Sequence, residues 1–115
     1  MAAERASQSV GKVPVTAKDL PIEVRRLLKS YDLAELRWDE PMVRHTVIVE
    51  VLTRGDENAE RWLWATLTRD EVRALLRDFG GAGADNEGRV VLRQKAGLSE
   101  EELPPRPFGF VPWRG

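Results

Sequence analysis

The sequence predicts an all-α protein, a compact bundle of four to five short helices with an extended N-terminal arm and a proline- and aromatic-rich C-terminal tail. Three observations predict it: apolar residues recur at helical spacing, capping residues precede these segments, and glycine or proline follows them. At 115 residues, 42% of them hydrophobic, the chain suits one domain. We expect a flexible arm at 1–15, a helical domain at 16–103 and an extended tail at 104–115.

The first helix is predicted to begin after Thr16 and to end near Ser30. Thr16 is a suitable N-cap because Asp19 follows three residues later and can complete a capping arrangement. A connector then leads to Pro41 and contains Trp38. We expect Trp38 to fill the core between helices, as a large aromatic side chain in a short connector usually does.

The segment HTVIVEVL, residues 45–52, is consistent with two structures. Five of its eight residues are β-branched, which is typical of a buried strand. Start and stop signals favour a helix of about fourteen residues instead. Pro41 suits the first turn, Asp39 is a candidate cap, and Gly55 suits the position after Arg54. A lone strand would also have no obvious partner, so we predict a helix.

Local signals also define the later helices. Asp56 should cap the third helix, and Thr68 with Glu71 forms a T-x-x-E capping box for the fourth. The GGAGAD segment, 80–85, ends the fourth helix. The fifth helix is expected within 86–98, although RVVLRQ could instead form a short strand. Predicted core-facing residues of the last three helices are Ala59, Trp62, Leu63, Leu67, Val72, Leu75, Leu76, Phe79, Val90, Val91 and Leu92. A last helical turn is expected to start at Ser99.

Composition excludes several kinds of site. The chain has no cysteine, so disulfides, thiolate metal sites and cysteine nucleophiles are excluded. His45 is the only histidine, and no metal-binding, nucleotide-binding or catalytic motif surrounds it. We therefore expect no enzymatic activity, no cofactor and no metal. The N-terminus lacks an apolar leader and no apolar run has membrane-spanning length, which predicts a cytoplasmic location.

The tripeptide Arg54-Gly55-Asp56 matches a motif of cell-adhesion ligands. Helix boundaries explain it without such a function, since arginine ends one helix, glycine terminates it and aspartate caps the next.

DNA binding is one function that the helical hairpin of residues 52–76 suggests. The predicted fourth helix carries a four-residue repeat of arginines, the arginine stripe, formed by Arg69, Arg73 and Arg77. Acidic residues adjoin the stripe, however, and the net charge of the chain is −1. Residues 31–60 carry three basic and eight acidic groups. A small helix-turn-helix-like regulator is therefore the alternative hypothesis and not the leading one.

Two tryptophans of the third helix cannot both face the same core. Trp62 and Trp64 are about 200° apart around a helix axis. If Trp62 lies inside, Trp64 lies at the margin or outside, where it can anchor a protein interface or be covered by the C-terminal tail. The aromatic tail residues Phe108, Phe110 and Trp113 have the same two interpretations, wrapping the bundle or inserting into a partner.

A recognisable pattern within residues 36–103 comprises the run VIVEVLTRGDENAERWLWATLTRDEVRALL, Trp38-Asp39 before it and AGLSEE near residue 100. In these motifs the chain resembles a poorly characterised family of small bacterial helical proteins. Members of that family are often encoded beside abortive-infection-type nucleotidyltransferase toxins. The resemblance implies an antitoxin-like role for this chain.

The leading hypothesis is therefore a non-enzymatic interaction module that binds and neutralises a cognate bacterial protein, for example a nucleotidyltransferase toxin. Its expected contact surface comprises Trp64, Arg69, Arg73, Arg77, Phe108, Phe110 and Trp113. A self-associating scaffold that pairs Trp64 and the tail across a dimer is a third hypothesis.

Overall fold

The computed structural model describes residues 14–105 of the chain. The described part is all-α, as predicted, and contains five α-helices: α1 (Ile22–Arg25), α2 (Pro41–Arg54), α3 (Glu57–Thr66), α4 (Arg69–Phe79) and α5 (Asn86–Ala96). Short 3-10 segments cover Ala17–Asp19, Arg26–Leu28 and Leu33–Glu35. None of these helices combines the length and the apolarity needed to cross a bilayer.

Helix α2 is the central element and packs against α3, α4 and α5. The helix predicted over residues 45–52 is confirmed, with Pro41 at its first position. The expected cap Asp39 is wrong. Glu40 occupies the cap position without a side-chain bond, and the Asp39 carboxylate instead accepts from the Arg37 guanidinium, with 2.8 Å between Nη2 and Oδ2. An arginine two residues away competes successfully with the amides of the helix start.

Gly55 ends α2 for a steric reason. Its φ is −77°, so it does not adopt the left-handed conformation of a typical terminating glycine. A Cβ atom at this position would lie 2.6 Å from the Val51 carbonyl oxygen. The chain therefore turns sharply into α3 at a point where only glycine fits without displacement of the backbone.

The neighbours of Gly55 act at the helix boundaries. Arg54 pairs with Glu50 and donates to the carbonyl oxygen of Leu27 at 3.1 Å. Asp56 caps α3 by accepting from the Ala59 amide at 2.9 Å and pairs with Arg26. The hydrogen bond from the Ala59 amide is the main cause that lowers the pKa of the Asp56 carboxyl from its ordinary value, and the Arg26 charge makes a smaller contribution in the same direction. The tripeptide thus has a structural role at this corner.

The segment predicted as one helix from Thr16 to Ser30 is divided in two. The Thr16 cap is confirmed, because Thr16 and Asp19 form a capping box. The segment then breaks at Leu20, whose backbone is extended with φ −79° and ψ 157°. Pro21 follows, and the proline ring disfavours helical geometry in the preceding residue. Helix α1 starts only after this break.

Helices α3 and α4 begin and end as the capping signals predict. The Thr68 hydroxyl accepts from the Glu71 amide at 3.0 Å, and the Glu71 carboxylate accepts from the Thr68 amide at 2.8 Å. Gly80 terminates α4 in the left-handed conformation with φ 67°. The RVVLRQ segment lies in α5, so its strand alternative is wrong.

The core contains Trp38, which is 5% exposed and confirms the prediction for this residue. Its ring packs edge-on against Trp62 with 5.9 Å between centroids. On α5 the predicted core face is partly wrong. Leu92 is fully buried, but Val90 is 42% exposed and Arg89 is buried at 8% exposure. Leu92 and Ala96 face the core. Arg89 lies on the same face of α5 and is therefore buried with them.

Candidate protein-interaction surface

The first residue of the arginine stripe lies over a tryptophan. The guanidinium carbon of Arg69 is 4.5 Å from the centroid of the Trp64 ring. The same guanidinium donates to the carbonyl oxygen of Lys95, near the end of α5, at 2.9 Å. A cation at this distance from an indole face is attracted by the ring electrons. Arg69 therefore connects α3, α4 and α5 at one point of the surface.

The other two arginines of the stripe also have intramolecular partners. Arg73 pairs with Asp70 one turn earlier on α4. Arg77 donates to the carboxylate of Glu102 at 3.3 Å, which connects α4 to the segment after α5. The acidic residues that adjoin the stripe in sequence thus explain only one of the three contacts. The hydrogen-bond acceptors of Arg69 and Arg77 are 25 residues or more away along the chain.

Trp64 lies at the margin of the core. It is partly buried, packs against the core cluster from outside, and has Arg69 above its ring. Trp62 is also partly buried and contacts buried Trp38. Both indoles are thus partly buried, and they differ in their partners, which are buried Trp38 for Trp62 and Arg69 for Trp64. Within the described residues, the cover of Trp64 is an arginine of α4.

The segment after α5 is a strap, residues 99–105, that is fixed to the bundle. It begins with a turn in which the Ser99 amide donates to the Glu102 carboxylate at 2.9 Å, as the predicted last helical turn requires. This amide is the main reason why the pKa of the Glu102 carboxyl lies below its ordinary value. Leu103 follows and is completely buried.

Two arginines of α5 hold the end of the strap. Arg93 donates to the carbonyl oxygen of Leu103 at 2.7 Å, and Arg89 donates to the carbonyl oxygen of Pro104 at 3.0 Å. Neither residue was predicted as functional from the sequence. Their four-residue spacing was visible, but nothing local indicated that backbone carbonyls of a later segment would accept from them. The end of the strap is therefore held on α5 by two hydrogen bonds.

Three residues of the expected contact surface, Phe108, Phe110 and Trp113, lie outside the described residues. The described part of that surface consists of Trp64 and the arginine stripe, which lie on α3 and α4.

His45 is a buried core residue at 1% exposure. Its ring lies 5.3 Å from the Phe79 ring, and neither ring nitrogen has a hydrogen-bond partner. Burial lowers the pKa of His45 from 6.5 to about 4, with a further contribution from the positive charge of Arg89. The imidazole is therefore neutral near pH 7. No group of three or more His, Asp or Glu side chains in the described part of the chain could hold a metal ion.

Comparison with known proteins adds no relative. No protein-family model matches the chain, and no curated protein or solved structure matches it significantly.

Proposed function

We propose that this protein is a non-enzymatic interaction module that binds a cognate protein partner in an antitoxin-like role. The observation that carries the proposal is the stacked pair of Trp64 and Arg69 at the surface. Tryptophan and arginine dominate the residues whose loss weakens protein interfaces most, because both combine a large apolar contact area with polar groups. The antitoxin-like part of the proposal rests on the resemblance of residues 36–103.

The geometry of Trp64 suits a contact site. The ring is partly buried and therefore held in one orientation, so little side-chain entropy would be lost on binding. Arg69 is anchored by its hydrogen bond to the Lys95 carbonyl oxygen while the residue stays exposed. A partner that presents an acidic or aromatic side chain would meet a positively charged plane backed by an indole ring.

The alternative, a DNA-binding regulator, receives less support. Each arginine of the stripe already donates to an acceptor within the chain. Phosphate contacts would have to replace these bonds or be shared with them, and acidic Asp70 lies beside the stripe. Proteins that bind the DNA backbone gain most of their affinity from basic groups that are free to neutralise phosphate.

The test is co-purification of the tagged full chain with the product of its neighbouring gene. We expect a stable complex, and we expect Trp64→Ala to weaken it by about 30-fold, the effect of losing roughly 2 kcal/mol at an interface anchor. Arg61→Ala is the matched control, because Arg61 lies exposed on the same helix. Co-expression should also relieve any toxicity of the neighbour.

Two results would overturn this proposal. The antitoxin-like role fails if no complex forms and the neighbour is not toxic. A salt-sensitive shift of the promoter of its own gene that is lost in the Arg69→Ala, Arg73→Ala, Arg77→Ala triple variant would favour the DNA-binding alternative instead.

A further inference from the structure

Two polar side chains are buried in the described part of the chain, and both are nitrogen bases. His45 of α2 is 1% exposed, and Arg89 of α5 is 8% exposed. The imidazole is neutral near pH 7, so Arg89 is the charged member of the pair. Protonation of His45 would bring a second positive charge into the core, where an uncompensated charge is costly.

The groups that face His45 come from two helices packed against α2. Helix α4 presents Phe79, whose ring centroid lies 5.3 Å from that of the imidazole. Helix α5 presents Arg89. Burial is the main cause that lowers the pKa of His45, and Arg89 is the one charged group of residues 14–105 that adds to this effect. Neither imidazole nitrogen has a hydrogen-bond partner, so an imidazolium would find no acceptor among the described residues.

Arg89 is at the same time an anchor of the strap. Its guanidinium donates to the carbonyl oxygen of exposed Pro104 at 3.0 Å. The residue before it, Leu103, lies against the glycine turn after α4 and against α5. A Cβ atom at Gly81 would lie 3.3 Å from Leu103 and 3.4 Å from Leu92. The strap is therefore packed on the face of α5 that carries both Leu92 and Arg89.

We propose that His45 and Arg89 form an acid-sensitive latch that releases the strap, residues 99–105, when His45 is protonated. His45 is fixed in the central helix beside Phe79, whereas the guanidinium of Arg89 already extends to an exposed residue. Arg89 is therefore the group that moves away. Its movement towards water separates the two charges and breaks the bond to the Pro104 carbonyl oxygen. The strap then opens and Leu103 leaves the core while the helices stay folded.

The carboxylate that fixes the strap is not the trigger in this pH range. The Ser99 amide is the main cause that holds the pKa of the Glu102 carboxyl below its ordinary value. Glu102 therefore stays ionised at pH 5 and keeps its contact with Arg77. Opening restores the pKa of His45 towards its ordinary 6.5 from about 4. The strap is thus held most firmly above pH 6.5 and opens more readily as the pH falls below it.

This latch goes beyond the proposed function and does not depend on it, because Trp64 and Arg69 take no part in it.

Amide hydrogen exchange of the full chain, followed by NMR at pH 7 and pH 5, tests the latch. The Leu103 amide donates to the Ser99 carbonyl oxygen at 3.1 Å and reports opening of the strap. The Leu52 amide, inside α2, reports unfolding of the bundle. Protection factors correct both rates for the intrinsic effect of pH on exchange.

We expect the protection factor of Leu103 to be lower than that of Leu52 at pH 7 and to fall roughly tenfold by pH 5. Linkage limits this fall to about 20-fold for a pKa that returns from about 4 to 6.5. Equal protection of the two amides at both pH values would overturn the latch, since the strap would then open only when the whole bundle unfolds. A Leu103 protection that does not change with pH would overturn it as well.

The variant His45→Leu tests whether the imidazole is the trigger. In this variant the protection of Leu103 should be nearly the same at pH 7 and pH 5. A tenfold fall that persists without His45 would assign the pH dependence to another group and overturn the latch.

Two arginine variants test whether the signal passes through Arg89. Arg89→Met and Arg93→Met each remove one hydrogen bond to the strap, so both should lower the protection of Leu103 at pH 7. Arg93→Met is the matched control, because Arg93 does not contribute to the pKa of His45, and it should keep the tenfold fall. In Arg89→Met we expect a fall of about threefold or less. Equal falls in the two variants would overturn the role of Arg89.

Discussion

The guanidinium of Arg69 lies 4.5 Å above the indole ring of Trp64 and donates at the same time to the carbonyl oxygen of Lys95. One side chain therefore joins three helices that are separate in sequence. The arrangement also explains why Trp64 can lie at the margin of the core: its outer face is covered by a cation that keeps its own contact with water.

The first prediction concerns the stability that Arg69 provides. We expect Arg69→Ala to lower the free energy of unfolding by about 1–2.5 kcal/mol, the sum of an exposed cation–π contact and one solvent-exposed hydrogen bond of ordinary strength. Urea denaturation measures this change. Arg61→Ala should change the free energy of unfolding by less than about 0.5 kcal/mol, because both partners of Arg61, Glu57 and Asn58, are exposed side chains on the same helix. Equal losses in the two variants would contradict the structural role of the stack.

The second prediction concerns the pH dependence of stability through His45. Its pKa is about 4 in the folded protein, below the ordinary value of 6.5, so below pH 6.5 the unfolded chain binds a proton that the folded chain excludes. Stability is therefore complete above pH 6.5 and falls as the pH falls towards 4. Between pH 7 and pH 5 the expected loss is about 2 kcal/mol, at about 1.4 kcal/mol per pKa unit.

Urea denaturation at pH 7 and pH 5 tests this prediction, in a range where carboxylates contribute little. His45→Leu is the informative variant, because it keeps an apolar side chain of similar size without a titratable group. Its stability should change much less between the two pH values than that of the natural chain. The same slope in both proteins would show that His45 is not the cause.

The third prediction distinguishes two glycines that end helices for different reasons. Gly55 has an ordinary φ but leaves no room for a Cβ atom beside the Val51 carbonyl oxygen, whereas Gly80 has ample room but a φ of 67°. We expect Gly55→Ala to lower the free energy of unfolding by about 1–3 kcal/mol through a forced backbone shift. Gly80→Ala should lower it by about 1–2 kcal/mol through conformational strain.

Thermal or urea denaturation of the two alanine variants measures both losses. A Gly55→Ala protein as stable as the natural chain would show that the turn between α2 and α3 relaxes easily, contrary to the close contact observed.

The fourth prediction concerns the strap. Leu103 is fully buried, and Arg93 holds its carbonyl oxygen. We expect Leu103→Ala to lower the free energy of unfolding by about 2–5 kcal/mol, as for other buried leucines. Glu101→Ala is the matched control because Glu101 is exposed in the same strap, and it should have little effect. If Leu103→Ala were as stable as the control, the strap would not belong to the core.

The sequence predicted helix boundaries well where the signal was local. Thr68 with Glu71 and Pro41 are confirmed, because a cap needs only the backbone of the next turn. The predictions were wrong where a neighbouring residue outside the capping pattern decided the local structure. Asp39 looked suitable as a cap but binds Arg37, and Leu20 ends a helical segment because of the proline that follows.

The candidate surface was predictable only in part. Two tryptophans two residues apart on a helix must point in different directions, and they do have different partners. Both are partly buried, however, so helical geometry alone did not distinguish the burial of Trp62 from that of Trp64. The sequence could not show which residue covers it, since Arg69 could equally have extended into solvent.

The sequence by itself thus determined the all-α class, the four longer helices and most of their caps, because these depend on interactions within a few residues. Only the tertiary structure decided the contacts of the long side chains. Arg69, Arg77, Arg89 and Arg93 all bind acceptors that are ten or more residues away along the chain. Flexible arginine side chains reach whichever acceptor the packing of helices brings near, and that packing is set by the apolar core as a whole.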